Sequence, residues 1–542
     1  RIAEGDVALC GKWIAGVGSY EGVSEIDVQG KYLSPGFIDS HIHIESSYVS
    51  PEELGRLVVP HGSTTIIADP HEIVNVFGIK GLDYMMKAAG HTELDIKFML
   101  PSCVPATPFE HSGAVIDAAK MEEPLQREKI LGLGEFMDYN GVINCSDETL
   151  DKILAAKKAG KLVDGHSPGL SGKDLTAYSA ARISGDHECA SVEDMNARIS
   201  LGMYVLLRQG SACQDLLNLL PGVTPENSRR CLLCSDDRQP KTILSVGHLD
   251  DHLRMCVKAG LDPITAIRMG TINAAECFRL HDIGAVAPGY LANLVLLDDL
   301  SDFNALKVWI NGSLAAQDGR YLQEIKKEPI DSVMGSIHLK NFSKEKFKMH
   351  LRSGHVNVIE LMPGGVITKL VREDVEIDED GEFVRDPDID IVKVAVVERH
   401  QMTGNVANGF LKGYGIREGA IALSIAHDSH NLIVVGVNDD EMEAAILALK
   451  EQNGGIVIVK DGKVLESIPM PIGGLMSDKS GEWVEQKLTD LHETAFCELG
   501  ISDNVEPVMT LCFMSLAVIP EVKITDMGLF DVRKFEFIDV EA

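Results

Sequence analysis

The most constraining feature of this chain is the sequence PGFIDSHIHIE at residues 35–45. It is an apolar, β-prone run that ends in His41 and His43. Side chains alternate along a strand, so two histidines two residues apart point to the same face. Two neutral imidazoles side by side form half of a transition-metal site. A solvated strand face would explain an isolated pair equally well, but the apolar strand and the polar groups downstream favour a metal.

The pattern after residue 36 alternates between apolar strands and helices. Strands are predicted to end at eight positions: His43, Ala68, Ser102, Glu135, His166, His187, Gln209 and Asp236. Eight strands with intervening helices over about 240 residues favour a (β/α)8 barrel over a doubly wound sheet. We therefore predict the α/β class with a TIM-like barrel.

Two smaller domains are predicted around the barrel. Residues 1–35 and 283–325 read as short strands separated by turns, and we expect them to form one split small β-sandwich domain into which the barrel, residues 36–282, is inserted. A charged connector follows. Residues 350–542 alternate strands and helices and are predicted to form a C-terminal α+β domain.

The net charge of −32 argues against two classes of partner. Strong acidity disfavours nucleic acid and anionic membrane surfaces. No stretch reaches the ~18 uninterrupted apolar residues of a membrane span, and the 11 cysteines do not recur in zinc-finger spacing. We expect a cytoplasmic protein that acts on a small neutral or cationic molecule. Because the chain begins with Arg1 rather than Met, we also expect a segment to precede it.

Ligand-type side chains stand at most of the predicted strand ends. These ends meet at one mouth of a barrel, where barrel enzymes hold their sites. Single histidines are usually structural, but a set at successive strand ends is hard to explain by packing. A carboxylate can bridge two cations ~3.5–4 Å apart. The predicted metal ligands are His41, His43, Glu135, His166, His187 and Asp236.

The ordered motifs of the chain resemble the amidohydrolase superfamily and, within it, the adenine deaminase family. The motifs are PGFIDSHIHIES, ADPHEI, GLGEFM, DGHSPG, GDHE and SDDR. The resemblance covers essentially the whole chain. Many members of the superfamily bridge their metals with a carboxylated lysine at strand four, whereas this chain has Glu135 there, as adenine deaminases do.

The resemblance implies hydrolytic deamination of adenine to hypoxanthine and ammonia, with water as co-substrate. It implies two divalent transition metal ions, manganese or iron, with zinc as the alternative, that activate the attacking hydroxide at a binuclear centre. Glu135 would bridge the two ions, the four histidines would bind them, and Asp236 would bind metal and shuttle a proton. A homo-oligomer, with a dimer as the first expectation, completes the prediction.

The purine ring must also gain a proton at the nitrogen beside C6. Asp69 is a catalytic candidate for this step, and support of the ligand histidines is an equally good role for it. Arg208 is predicted to contact the purine edge, with a salt bridge as the alternative. The remaining predicted substrate contacts are His71, for which a further metal ligand is the alternative, and Glu72 and Glu188, for which support of the histidines is the favoured alternative.

Two further histidine pairs stand outside this set. His427 and His430, in the sequence AHDSHN after an apolar strand, are predicted accessory residues of an extra metal site or a lid, with a polar hairpin turn as the alternative. His248 and His252 have helical i,i+4 spacing, but neighbouring aspartates favour a solvated first turn.

The competing functions remain open at this stage. Another amidohydrolase of the cyclic amidase type would cleave a C–N bond of a different ring with the same residues. A non-catalytic metal-binding or purine-binding protein would lack one or more strand-end ligands, and all six are present.

Overall fold

The apolar runs of residues 36–165 form buried parallel strands. The computed structural model describes residues 1–362, 364 and 366–542. These residues form two compact units. The first unit comprises residues 1–70, 85–103 and 116–328, and the second comprises 71–84, 104–115 and 329–542. Both contain helices and strands, so the chain is an α/β protein.

The α-helices are short in the first half of the chain and longer in the second. Several begin at a side chain that accepts a hydrogen bond from the first turn, such as Asp262, Asn438 and Ser480. Among the described residues, no helix combines the length and apolar character needed to cross a membrane. The helices are α1 (Pro51–Val58), α2 (His71–Phe77), α3 (Ile79–Ala88), α4 (Ala118–Met121), α5 (Tyr139–Ile143), α6 (Asp147–Lys158), α7 (Gly172–Ala180), α8 (Val192–Ser200), α9 (Leu216–Leu219), α10 (Pro240–Val246), α11 (Leu249–Lys258), α12 (Pro263–Met269), α13 (Ile272–Cys277), α14 (Asp439–Glu451), α15 (Gly481–Cys497) and α16 (Pro507–Cys512).

A curled parallel sheet organises the first unit. Its strands pair in the order β4-β5-β6-β7-β8, and β9 pairs in parallel with β10. β4 and β5 are buried along their whole length, as strands covered on both faces are. The strands of this unit are β1 (Asp6–Cys10), β2 (Trp13–Gly18), β3 (Tyr32–Pro35), β4 (Phe37–Ile42), β5 (Ser63–Ala68), β6 (Asp95–Leu100), β7 (Ile130–Phe136), β8 (Leu162–Gly165), β9 (Val205–Arg208), β10 (Cys231–Cys234), β11 (Leu294–Leu297), β12 (Ala305–Ile310), β13 (Ser313–Gln317) and β14 (Arg320–Tyr321).

The sixth predicted strand, ending at His187, is the one that differs. Its backbone is bonded on both sides: Ser184 N–H donates to Val163 of β8 at 2.9 Å, and Asp186 accepts from Leu206 of β9 at 3.0 Å. The hydrogen bonds to β8 and those to β9 therefore involve only residues 184–186, and three residues are too few to form a regular strand. The other predicted strand ends lie within two residues of the observed ends.

A five-stranded antiparallel sheet accompanies the parallel one in the first unit. Its order is β14-β13-β12-β11-β3, with Leu294 of β11 opposite Pro35 of β3. The chain therefore leaves this sheet through β3, enters β4 after a single residue, Gly36, and returns at β11. A Cβ on Gly36 would lie 2.1 Å from the Thr64 hydroxyl, so the connection requires glycine.

The second unit is built on an eight-stranded sheet in the order β16-β15-β20-β19-β22-β21-β23-β24. Met442, Ala445 and Ile446 of α14 pack on its apolar face. A three-stranded antiparallel sheet, β25-β26-β27, follows. The strands are β15 (His355–Leu361), β16 (Thr368–Asp374), β17 (Glu376–Ile377), β18 (Phe383–Val384), β19 (Ile391–Val397), β20 (Val406–Lys412), β21 (Ala420–Leu423), β22 (Leu432–Gly436), β23 (Gly455–Lys460), β24 (Lys463–Pro469), β25 (Val522–Thr525), β26 (Gly528–Asp531) and β27 (Glu536–Ile538).

The buried Lys523 on β25 is expected to make the stability of the protein depend on pH. Its side chain is fully buried and donates to the Val366 carbonyl at 2.6 Å. Burial lowers the pKa of Lys523 to about 7, whereas an unfolded lysine titrates near ~10.4. As pH falls between these values, the unfolded chain binds a proton that the folded chain does not, so stability decreases. Lys523→Met should remove this decrease, which amounts to roughly 4–5 kcal/mol.

Thermal unfolding followed from pH 10 to pH 7 measures the effect. The variant should gain most over the natural protein at pH 7 and least at the alkaline end. Lys534→Met, at an exposed lysine of the same unit, is the control and should leave the pH dependence unchanged. Parallel pH profiles for all three proteins would contradict the prediction.

Candidate metal centre

His41 and His43 stand at the end of β4 and share one face, as their spacing predicts. Both are buried, and their Nε2 atoms lie 3.1 Å apart. The Nδ1 of His43 lies 2.9 Å from the backbone carbonyl of Asp69. A carbonyl oxygen can only accept a hydrogen bond, so Nδ1 carries the hydrogen and Nε2 presents a lone pair. The two imidazoles therefore aim at a common point.

Glu135 at the end of β7 divides the histidines into two sets. Its Oε1 lies 3.3 Å from His43 Nε2. Its Oε2 lies 2.8 Å from His166 Nδ1 and 3.3 Å from His187 Nε2. One carboxylate thus faces the β4 histidines with one oxygen and the His166–His187 pair with the other, which is the arrangement of a bridging ligand.

Asp236 follows β10 and adds a second carboxylate to the β4 histidines. Its Oδ1 lies 3.2 Å from His43 Nε2 and 3.5 Å from His41 Nε2. Its φ of 58° is a left-handed conformation, which is costly for an aspartate. Backbone hydrogen bonds hold it there: its N–H donates to the His41 carbonyl at 2.9 Å, and its carbonyl accepts from His43 at 3.1 Å.

The spacing and chemistry of these six side chains fit divalent metal ions. Two ligands bound to one ion at about 2.1 Å lie roughly 3.0–3.5 Å from each other. The distances from Glu135 and Asp236 to the histidines are within or close to this range. Imidazole nitrogens and carboxylate oxygens without thiolates are ligands for manganese, iron and zinc. Sets of close potential ligands overlap here, among them His41, His43 and Glu135; His41, His187 and Asp236; and Glu135, His166 and His187.

The electrostatics of His41 and Asp236 match that use. Burial, with the imidazoles of His187 and His43 nearby, lowers the pKa of His41 to about 4, so this ring is neutral at pH 7. Burial alone would raise the pKa of the Asp236 carboxyl. The neighbouring His41 and His43 and the charge of Arg208 outweigh burial and hold that pKa well below its usual range. A neutral imidazole and an ionised carboxylate are both ready to bind a cation.

Arg208, predicted to contact the purine edge, lies among carboxylates. Its guanidinium donates to Asp236 Oδ2 at 3.1 Å and to Asp215 at 2.9 Å, and it also bonds Glu188. Glu188 Oε1 lies 3.4 Å from His187 Nε2. The salt-bridge alternative for Arg208 is therefore present, and its predicted role at the purine stays a prediction, as does that of Glu188.

Asp69 supports the backbone of Glu135. Its Oδ2 accepts a hydrogen bond from the Glu135 backbone N–H at 2.9 Å. A Cβ on the neighbouring Gly134 would lie 2.0 Å from the same oxygen, so glycine is required for this approach. The geometry favours the supporting role for Asp69, while its predicted proton transfer to the ring stays a prediction.

Gly134→Ala should therefore disturb the proposed metal centre, although it replaces none of the proposed ligands. The new methyl group would displace Asp69 and shift Glu135, and loss of such support typically lowers metal affinity or activity by about 10–100-fold. Metal titration of the stripped protein measures the effect. Gly90→Ala, where an added Cβ meets nothing within 4 Å, is the control. Equal metal affinity in both variants would contradict this role of Gly134.

Asp164 is a residue of this site that the sequence interpretation assigned no role. It is buried, and its Oδ2 lies 3.9 Å from His41 Nδ1. Burial raises the pKa of its carboxyl to about 7. The available signal was its position two residues before His166 on β8, which predicts that both side chains lie on one face.

His248 and His252 are buried, which corrects the expectation of a solvated turn. His248 Nε2 lies 3.0 Å from Asp39 Oδ2, and its Nδ1 lies 2.7 Å from the Ser63 hydroxyl. The correction arises because Asp39 on β4 is a buried carboxylate that needs a partner, and α11 supplies it.

The remaining predicted residues belong to the second unit. His71 and Glu72 begin α2, and Glu72 bonds both His427 and His430 in the turn between β21 and β22. The extra-site residues and two predicted substrate contacts therefore form one cluster. The substrate-contact role of His71 and Glu72 stays a prediction.

Comparison with known proteins covers both units. A model described as the amidohydrolase family matches residues 32–315, and one described as the adenine deaminase C-terminal domain matches residues 365–536. Adenine deaminase 2 of Desulfotalea psychrophila is 62% identical over 542 residues, which is 100% of this chain and 94% of that protein.

Two other relatives are also named adenine deaminase. Adenine deaminase of Ligilactobacillus salivarius is 51% identical over 100% of this chain and 94% of its own length. Adenine deaminase of Nitratidesulfovibrio vulgaris is 48% identical over 99% of this chain and 93% of its own length. The first family match contains all six predicted metal ligands, and the second contains His427 and His430.

Proposed function

This chain belongs to the adenine deaminase family of amidohydrolases, and we propose that it hydrolyses adenine to hypoxanthine and ammonia at the centre formed by His41, His43, Glu135, His166, His187 and Asp236. The observation that carries the proposal is the position of Glu135. Its two oxygens face two separate sets of imidazoles.

We propose that this centre holds two divalent cations. His41, His43 and Asp236 would bind one, His166 and His187 the other, and Glu135 both. The donor set of nitrogen and oxygen atoms favours manganese or iron, with zinc as the alternative. Metal ions, when bound, would supply a water of lowered pKa beside the substrate ring.

Asp236 is proposed to move the proton in this reaction. Water attacks C6 of adenine, and the amine departs from the same carbon as ammonia. Asp236 accepts one proton of the attacking water and passes it to the departing amine. The other proton of the water ends on the ring nitrogen beside C6, so the oxygen remains as the C6 carbonyl of hypoxanthine. The charge of Arg208 adds to the effects of His41 and His43 that keep Asp236 ionised. Its hydrogen bond to Oδ2 leaves Oδ1 toward His41 and His43.

We also propose that the curled parallel sheet closes as a (β/α)8 barrel. Two observations support closure. Residues Ser184 and Asp186 connect β8 to β9 by backbone hydrogen bonds, and Asp236 after β10 bonds the backbone of β4 on both sides of Ile42. The domain boundaries at residues 35, 283 and 350 and the homodimer stay predictions.

The test is direct turnover by the full chain. Stripped protein is loaded separately with manganese, iron or zinc and mixed with adenine. Loss of the adenine absorbance band with release of ammonia in equal amount is expected. Hydantoin and dihydrouracil, two cyclic amides, serve as the alternative substrates. Ring opening of either, with no adenine turnover under any metal, would replace this proposal by the cyclic amidase function.

A further inference from the structure

A second cluster of metal-ligand side chains lies in the second unit. We call it the α2–turn cluster: His71 and Glu72 at the start of α2, and His427, Asp428 and His430 in the turn between β21 and β22. All five side chains are buried. None of them belongs to the six-residue centre of the first unit, so the inference goes beyond the proposed function.

Glu72 is the hub of this cluster. Its Oε1 bonds His427 Nδ1, and its Oε2 bonds His430 Nε2. The same Oε1 lies 3.5 Å from His71 Nε2, which in turn lies 3.3 Å from Asp428 Oδ1. Glu72, His427 and His430 meet the distance criterion for a set of potential metal ligands.

The tautomer of His430 assigns it a different task from the others. The backbone N–H of Ala426 donates to His430 Nδ1 at 3.1 Å. A ring nitrogen that accepts a hydrogen bond carries no proton of its own, so the single proton of this neutral ring is on Nε2. Nε2–H then donates to Glu72 Oε2. His430 therefore orients Glu72 and has no lone pair to offer a metal at Nε2.

The charge balance of the cluster calls for a cation. Asp428 Oδ2 is buried and has no hydrogen-bond partner among the residues that the structure describes. The same holds for Oε2 of the buried Glu110. Buried carboxylate oxygens without partners are costly unless a cation offsets them.

The spacing around His71 Nε2 fits a bound ion. Ligand atoms about 2.1 Å from one ion lie roughly 3.0–3.5 Å apart, and the two distances around His71 Nε2 are 3.3 and 3.5 Å. We propose that His71, Glu72, His427 and Asp428 form an additional metal site for a divalent transition ion. Two imidazoles and two carboxylates suit zinc, manganese or iron.

The site would join two segments that are far apart in sequence. Glu72 and His427 are separated by 355 residues. A cation here would fasten the start of α2 to the β21–β22 turn, so the stability of the second unit would depend on metal. His71 and Glu72 would then serve as ligands instead of the substrate contacts that the sequence predicts.

The experiment counts metal per chain in the full-length protein. Natural protein, His427→Ala and Asp428→Asn are stripped with a chelator, reloaded with excess Mn²⁺, gel-filtered and analysed by elemental mass spectrometry. Each variant should hold one equivalent less than the natural protein. His430→Gln is the matched control: it keeps an N–H donor toward Glu72 and should hold the full complement.

Further measurements make the outcome decisive. Circular dichroism and melting curves establish that the variants fold, and Asp428→Asn, which keeps size and shape, stands in if His427→Ala does not. A double variant, His41→Ala with His43→Ala, should still hold the additional equivalent, whatever its adenine turnover. Equal metal content in natural protein, His427→Ala and Asp428→Asn would overturn the site, and so would an equal loss in His430→Gln.

Discussion

Glu135→Gln is expected to lower kcat for adenine by about 10²–10³-fold and to reduce the metal content of the first unit. The amide that replaces the carboxylate is uncharged and offers a single oxygen. A single oxygen cannot lie beside both His43 and the His166–His187 pair. In the natural protein, one carboxylate oxygen lies 3.3 Å from His43 Nε2, and the other lies 2.8 Å from His166 Nδ1 and 3.3 Å from His187 Nε2. Steady-state kinetics and elemental analysis of the same preparation measure both losses.

Glu226→Gln is the control for this variant, because Glu226 is exposed in the same unit. It should match the natural protein in both measurements. A Glu135→Gln enzyme with full metal content and a kcat within tenfold of natural would show that Glu135 does not bridge the ions.

Asp236→Asn is expected to separate metal binding from proton transfer. The asparagine oxygen can still accept from Arg208, so the fold of the turn should persist. The amide has no basic oxygen to take the proton of the attacking water. Loss of a general acid–base group lowers kcat by about 10²–10⁴-fold, while KM changes much less. Steady-state kinetics on metal-loaded protein test this, with Asp151→Asn on the exposed face of α6 as control.

The changes in kcat and KM of Asp236→Asn distinguish the roles that Asp236 can have. An increase in KM with an unchanged kcat would assign Asp236 to substrate binding. A kcat decrease that excess metal reverses would assign it to metal affinity alone. Either result would remove the proton-transfer role.

Much of the first unit was predictable because local signals carry it. The end of β4 at the His-x-His motif follows from a continuous apolar run, and Glu135, His166 and Asp236 lie at or just beyond the ends of β7, β8 and β10 as predicted. The sixth strand was harder. Its three bridging residues have too little apolar sequence to distinguish a bonded segment from a loop.

Partners far apart in the chain were not predictable. The pairing of Asp39 with His248 depends on where α11 packs, and charged neighbours of His248 suggested solvent instead. The approach of Glu72 to His427 spans 355 residues and leaves no periodic signal in either segment.

The amino-acid sequence alone determined the identity and order of the strand-end side chains that are predicted to bind metal, because strand periodicity and metal chemistry are local properties of a few residues. Only the tertiary structure decided which oxygen of Glu135 meets which imidazole, that the purine-edge candidate Arg208 lies among carboxylates, and that Glu72 bonds His427 and His430. These facts depend on ångström-scale distances between distant segments, which packing sets and no spacing along the chain encodes.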